Sequence, residues 1–232
     1  MKNLLVLIIF LILNHNLLAQ KKTVVIVKAG TKITDYFSAP ERYLYPEFTE
    51  GTCSLTNGQI IPGLFNYNLL SGEMDFVKAK DTLAISNKAQ VKYITVAKDT
   101  FYYADLCMQL IKGNGLKVFY TQKIEFVDRQ KNGALGSSGR SFTIDSYDYM
   151  QIGKYSYNFK TDVDVIFRKK KEFFYFAGNG YVLLNKKNAE KILPEKQDLV
   201  KKYLKTNRID FELKNDVLKF ADFISNLPNK SY

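Results

Sequence analysis

The chain has 232 residues, of which 46% are hydrophobic, 14% aromatic and 25% charged, with 13 Gly and 5 Pro. That composition suits one or two compact domains with a real core and excludes collagen-like, low-complexity and wholly disordered chains. The formal charge is +11, and the one histidine, His15, falls in a segment read below as a removable leader, so the remainder has no imidazole for catalysis, metal binding or proton transfer near neutral pH.

The predicted elements begin with export. Lys2 precedes the unbroken apolar run Leu4–Leu13, followed by Asn14, His15 and Asn16 and then Leu17-Leu18-Ala19 before Gln20, the layout of a secretory signal peptide over residues 1–19. The run is shorter than the roughly twenty apolar residues of a membrane-spanning helix. No cysteine stands at the cleavage point, so a lipoprotein anchor is not indicated, and the expected destination is the periplasm or the medium of a Gram-negative bacterium. Cys53 and Cys107 are the two cysteines; in an oxidising compartment they could form one bridge, and two small buried thiols are the other reading. Two cysteines without histidine make no zinc site, and no cofactor or metal is expected.

TVVIVK, from Thr23 to Lys28, is β-branched and reads as a strand, and the stretch onward to Phe48, with Pro40 and Pro46, reads as an irregular connection. From Thr49 to Asp105 short strands alternate with turn chemistry at Asn57-Gly58, Leu70-Ser71-Gly72, Lys80-Asp81, Asn87-Lys88 and Lys98-Asp99, which predicts a meander. Met74, Phe76, Leu83 and Ile85 occupy the alternating positions expected to face a core. In VKYITV, Val91 and Tyr93 are out of phase with Ile94 and Val96, which predicts a bulge or burial on both faces. Leu116 to Val127 reads as strand, Asp128 to Ser141 as a glycine-rich loop, and 141–184 as further strands rich in Tyr and Phe.

From Asn185 the period becomes helical. Ala189, Ile192 and Leu193, then Leu199, Val200, Tyr203 and Leu204, then Val217, Leu218, Ala221 and Ile224 mark three apolar faces, with Pro194, Asn207 and Asn215 as start and stop signals. The predicted fold is therefore mainly β with C-terminal α (α+β). An antiparallel meander sheet, or a partly closed barrel or sandwich, spans residues 20–184, and short helices in 185–232 pack on the same domain.

The stretch YNLLSGEMDFVKAKDTLAI and the final NKKNAEKILPEKQDLVKKYLKTNRIDFELKNDVLKFADFI resemble an uncharacterised group of exported Gram-negative bacterial proteins. The resemblance implies a leader, a β-rich body built on a hairpin around Gly72, and a short helical tail. It brings no catalytic or ligand residue with it.

Candidate chemistry is sparse. The loop from Asp128 to Ser141 could cradle an anion through Arg140 and Lys131, but it lacks any phosphate-loop spacing. Acid–base work without histidine would fall to pairs such as Asp145 with Asp148 or Asp162 with Asp164, and on a strand Asp162 and Asp164 stand on one face and repel. Tyr147, Tyr149, Tyr155 and Tyr157 are the candidate ligand-binding face, since each pair is spaced by two. Arg168, Lys169, Lys170 and Lys171 are the candidate contact for an anionic surface, followed by a lysine-rich tail. The function these features suggest is a non-catalytic binding or scaffold protein of the cell envelope, its partner an anionic envelope polymer or another envelope protein. A carboxylate-dependent hydrolase is the alternative, while nucleic-acid binding and an outer-membrane barrel are not expected.

Overall fold

The computed structural model describes residues 24–132, 138–139 and 163–228. Strand β1 (Val24–Val27) leads through two one-turn helices, α1 (Ile33–Tyr36) and α2 (Ala39–Arg42), into the sheet. There follow β2 (Thr49–Leu55), β3 (Ile60–Asn68), β4 (Glu73–Lys78), β5 (Asp81–Ala84), β6 (Val91–Val96), β7 (Asp99–Tyr103), β8 (Cys107–Lys112) and β9 (Val118–Asn132). The short β10 (Ser138–Gly139) pairs with the end of β9, β11 (Asp164–Phe176) runs back along it, and β12 (Tyr181–Leu183) forms a hairpin with β11. Helices α3 (Lys186–Ala189), α4 (Gln197–Asn207) and α5 (Lys214–Ser225) complete the described chain.

The protein is mainly β, and its antiparallel sheet is not closed into a barrel. The strand order is β1-β11-β9-β8-β7-β6-β2-β3-β4-β5, which leaves β1 and β5 as edges. Side-chain alternation divides the sheet into two faces. The inner face carries Cys53, Phe65, Tyr67, Met74, Ile94, Val96, Phe101 and Cys107 as one apolar cluster. It continues onto β9 and β11 as Ile124, Val165 and Phe167, covered by Val27, Ile33, Phe37 and Leu70. Further along the same two strands, Val118, Phe173 and Tyr175 pack under Val200, Leu204, Val217, Phe220 and Ala221 of the helices. The helical tail thus shares a core with the sheet.

Curling of the sheet brings its distant parts together: Ile124 N–H donates to the Leu69 carbonyl at 2.7 Å, joining the tip of the β3–β4 hairpin to β9. Close approach between β2 and β6 depends on Gly51, where a Cβ atom would lie 2.0 Å from the Thr95 carbonyl oxygen. The irregular phase of VKYITV is a register shift, in which Ser54 pairs with Tyr93 and Leu55 with Val91.

Several sequence expectations are corrected. Leu83 is 42% exposed, because β5 is an edge strand, whereas Met74 is fully buried and Phe76 and Ile85 are partly so. Asp75, which alternates with Met74 and Phe76 and so lies on the other face, is buried too, because residues 42–47 lie across that side of β3 and β4: Leu44 N–H donates to the Tyr67 carbonyl and Leu69 N–H to the Arg42 carbonyl. The segment from Asp128 to Asn132 is strand rather than loop, held by pairing with β10 and β11. Leu199 is exposed on α4, and the left-handed residue that ends this helix is Arg208, not Asn207. Helix α5 starts after Leu213, so Asn215 lies inside it and is not its cap.

Candidate functional site

The aromatic and charged residues sort by face. Inward, Tyr67 stacks on Phe101 at 5.8 Å between centroids, and Tyr103 accepts a hydrogen bond from Met74 N–H at 3.1 Å beside Cys107. Burial pushes the phenols of Tyr67 and Tyr103 and the thiol of Cys107 well above their ordinary values. Lys88 pairs with Glu73 at the margin of this group and lies over the Tyr103 ring. Cys53 and Cys107 are separate buried thiols. They sit on β2 and β8 with β6 and β7 between them, three strand spacings of about 14 Å in a flat sheet against the roughly 7 Å that a bridge can span.

The outer face has a different character. Arg168, Lys170, Glu172, Phe174 and Phe176 alternate on β11; the first four pair in register with Glu125, Lys123, Thr121 and Phe119 of β9, and Phe176 pairs with Tyr181 of β12. Arg168 donates to Glu125 at 2.9 Å, and Lys170 lies 3.6 Å from Glu125 and 3.0 Å from Glu172. Lys123 adds a fourth contact to this ladder, 3.6 Å from Glu125. Partial burial alone would raise the Glu125 carboxyl, but the hydrogen bond from Arg168 and the charges of Lys170 and Lys123 outweigh it and hold the group below the usual carboxylate range.

The run Arg168 to Lys171 therefore does not form one cationic patch. Strand alternation sends Arg168 and Lys170 to the outer face, where acids neutralise them, and leaves Lys169 and Lys171 exposed on the opposite side. Asp164 holds the end of β1: Lys28 Nζ donates at 2.7 Å and Ala29 N–H at 3.0 Å, and the two bonds keep its carboxyl below the ordinary range.

Next to the ladder lies a row of aromatic rings. Tyr93 of β6 meets Tyr102 of β7 at 6.0 Å, Tyr102 meets Phe119 of β9 edge-on at 5.6 Å, and Phe119 meets Tyr181 of β12 edge-on at 4.8 Å. Tyr102 and Tyr181 approach Phe119 from opposite sides of β9, and Phe119 and Met108, the register partner of Tyr102, are buried. Tyr93, Tyr102 and Tyr181 stay half-exposed, and their hydroxyls make no hydrogen bond among the described residues. The face thus presents three partly exposed phenol rings beside the buried Phe119 and Met108, bordered by a charge ladder, and those rings offer both apolar and hydrogen-bonding surface.

Tyr147, Tyr149, Tyr155 and Tyr157 lie outside the described residues, as do Asp145, Asp148, Asp162 and Arg140. Sequence reasoning missed the assembled face because its rings come from β6, β7, β9 and β12, which share no local spacing. The one local sign was Tyr93, out of phase with the buried Ile94 and Val96 of its own strand. Among the described residues no cluster of acids and cysteines could hold a metal ion, and no helix is long and apolar enough to cross a membrane. Comparison with known proteins gives no match to a family model, a curated sequence or a solved structure.

Proposed function

We propose that the chain is an exported, non-catalytic binding or scaffold protein of a cell envelope, and that it holds its partner on the tyrosine-rimmed outer face. The observation that carries this reading is the row Tyr93, Tyr102, Phe119 and Tyr181, whose three phenols keep their hydrogen-bonding capacity for a ligand. The leader-like residues 1–19 and the lack of any histidine beyond them support export and binding.

A carboxylate-dependent hydrolase needs one acid kept protonated beside a second that is ionised. Glu125 and Glu172 share the ammonium of Lys170, and the Glu125 carboxyl is held ionised, which suits an ion-pair ladder better than an acid–base pair. Capture from envelope extract by the purified chain lacking residues 1–19, compared with its Tyr102→Ala and Tyr181→Ala variants, tests the reading. Capture should weaken in both variants while their folding is retained. Turnover of an envelope glycan or peptide that disappears on changing a single carboxylate would overturn it.

A further inference from the structure

The cations of this protein fall into two populations. Lys28, Lys88, Lys112, Lys123, Arg168 and Lys170 each meet a carboxylate. Other lysines, Lys78, Lys80, Lys98, Lys169 and Lys171 among them, are exposed without an ion pair among the described residues, and α4 gathers four such cations, Lys201, Lys202, Lys205 and Arg208, toward its C-terminal end. Asp198 stands three and four positions before Lys201 and Lys202, the spacing at which helical ion pairs form, yet it pairs with neither. The buried side of the helix is fixed by Val200 and Leu204, which pack on the sheet, and by Tyr203, which stacks on Phe223. Lys201, Lys205 and Arg208 follow at intervals of four and three, so they form one stripe, with about 6 Å of axial rise between the first two and about 10 Å from first to last.

Arg208 strengthens the case. It caps α4 in the left-handed conformation, with φ 48° and ψ 45°, a position that glycine takes without strain and a long side chain does not. Folding alone would be better served by glycine there.

We infer that this stripe is a docking surface for an acidic polysaccharide whose carboxylates repeat along an extended chain. The inference rests on the binding reading above and names the chemistry of a partner. Charges repeated along a line suit a polymer better than one small anion. A bilayer would call for apolar side chains interleaved with the lysines. The exposed apolar residue of α4, Leu199, lies about 150° around the helix from the Lys201–Lys205–Arg208 stripe.

The test uses the chain lacking residues 1–19, with alginate as the polyuronate probe, neutral dextran, and vesicles of phosphatidylglycerol. Alginate should bind at low ionic strength and release at high, and dextran should not bind. Combined Lys201→Glu, Lys202→Glu and Lys205→Glu should lower alginate affinity by about tenfold or more, through lost counterion release. Combined Lys78→Glu, Lys80→Glu and Lys98→Glu makes the same change in net charge at exposed lysines of the β4–β5 and β6–β7 hairpins and should leave affinity within about twofold. Arg208→Gly should weaken alginate binding while raising the thermal midpoint, a combination that a purely structural arginine would not produce. Equal losses in both triple variants, binding to vesicles without binding to alginate, or no alginate binding at low salt would each overturn the inference. If Tyr102→Ala leaves envelope capture unchanged, the tyrosine face fails and this surface does not, since purified alginate contains no other envelope component.

Discussion

Tyr43 donates its phenolic hydrogen to Asp75 Oδ2 at 3.1 Å, and Asn68 Nδ2 donates to the same oxygen at 2.9 Å, so one buried carboxylate joins the crossing segment 42–47 to strands β3 and β4. Burial raises the Asp75 carboxyl above its ordinary value, against the lowering effect of these two hydrogen bonds and of the Arg42 charge. Burial, and after it the same carboxylate, pushes the Tyr43 phenol up to about 12. The folded state therefore binds the Asp75 proton more tightly than the unfolded state. Stability linked to this group is present at acid pH and is lost as pH rises through the folded value. Asp75→Asn places an amide oxygen where both donors converge, and it should flatten that pH dependence and match or exceed the parent in urea unfolding at neutral pH. Tyr43→Phe should cost about 1 to 2 kcal/mol at every pH, for the lost hydrogen bond. An Asn variant clearly less stable than the parent at neutral pH would show that the ionised carboxylate is needed.

Two hairpins place alanine where glycine is preferred. In β4–β5 the pair Lys78–Asp81 encloses Ala79-Lys80, and in β6–β7 the pair Val96–Asp99 encloses Ala97-Lys98. Ala79 has φ 57° and Ala97 has φ 51°, the positive φ that the first loop position of a two-residue hairpin favours. Ala79→Gly and Ala97→Gly should each stabilise the fold by about 1 kcal/mol in denaturant titration, by relieving the left-handed strain. No gain at either site would mean that the local geometry has relaxed the strain by other means.

These hairpins also mark how far the sequence could be read. Alternation placed Met74 in the core and put the irregularity at Tyr93, because both effects are local to one strand. The turn chemistry was assigned to Lys80-Asp81 and Lys98-Asp99, one residue late, since Asp is a strong turn former and Ala is not. Burial of Asp75 was not legible, because what covers it is a segment some thirty residues earlier whose path no periodicity describes. Leu83 follows the same alternation as Met74, and only the sheet order shows that its strand lies at an edge. The tyrosine face was unreadable for the same reason: its rings meet through pairing between strands, whereas Tyr147, Tyr149, Tyr155 and Tyr157 drew notice because spacing within one segment is visible in sequence.

Glu125 receives Arg168, Lys170 and Lys123 on one carboxylate, so removing its charge leaves three cations facing one another with only Glu172 remaining. Glu125→Gln should destabilise the protein by about 1 kcal/mol at low salt, the upper end of what a partly exposed pair contributes, and by less at high salt. The folded value of this carboxyl is lowered, so its contribution is present above the unfolded value and disappears as pH falls through the folded one. Parent and variant unfolding midpoints should therefore converge on acidification below the ordinary carboxylate range. A constant difference across that interval would assign the effect to packing of the side chain rather than to its charge.

The cysteines give a prediction that does not depend on any partner. Cys107 is completely buried, and its thiol is pushed up by burial, then by the Glu73 charge, with the hydrogen bond from Tyr103 acting in the opposite sense. Burial raises the Cys53 thiol as well. Thiolate is the reactive form, so both groups should resist alkylation in the folded protein at neutral pH. With two strands between them, they should also stay unbridged under mild oxidation. Iodoacetamide added under non-reducing, denaturing conditions should then add two carbamidomethyl groups per chain by mass spectrometry. A chain that takes up none until it is reduced would show that Cys53 and Cys107 are bridged, and that β2 and β8 approach far more closely than three strand spacings allow.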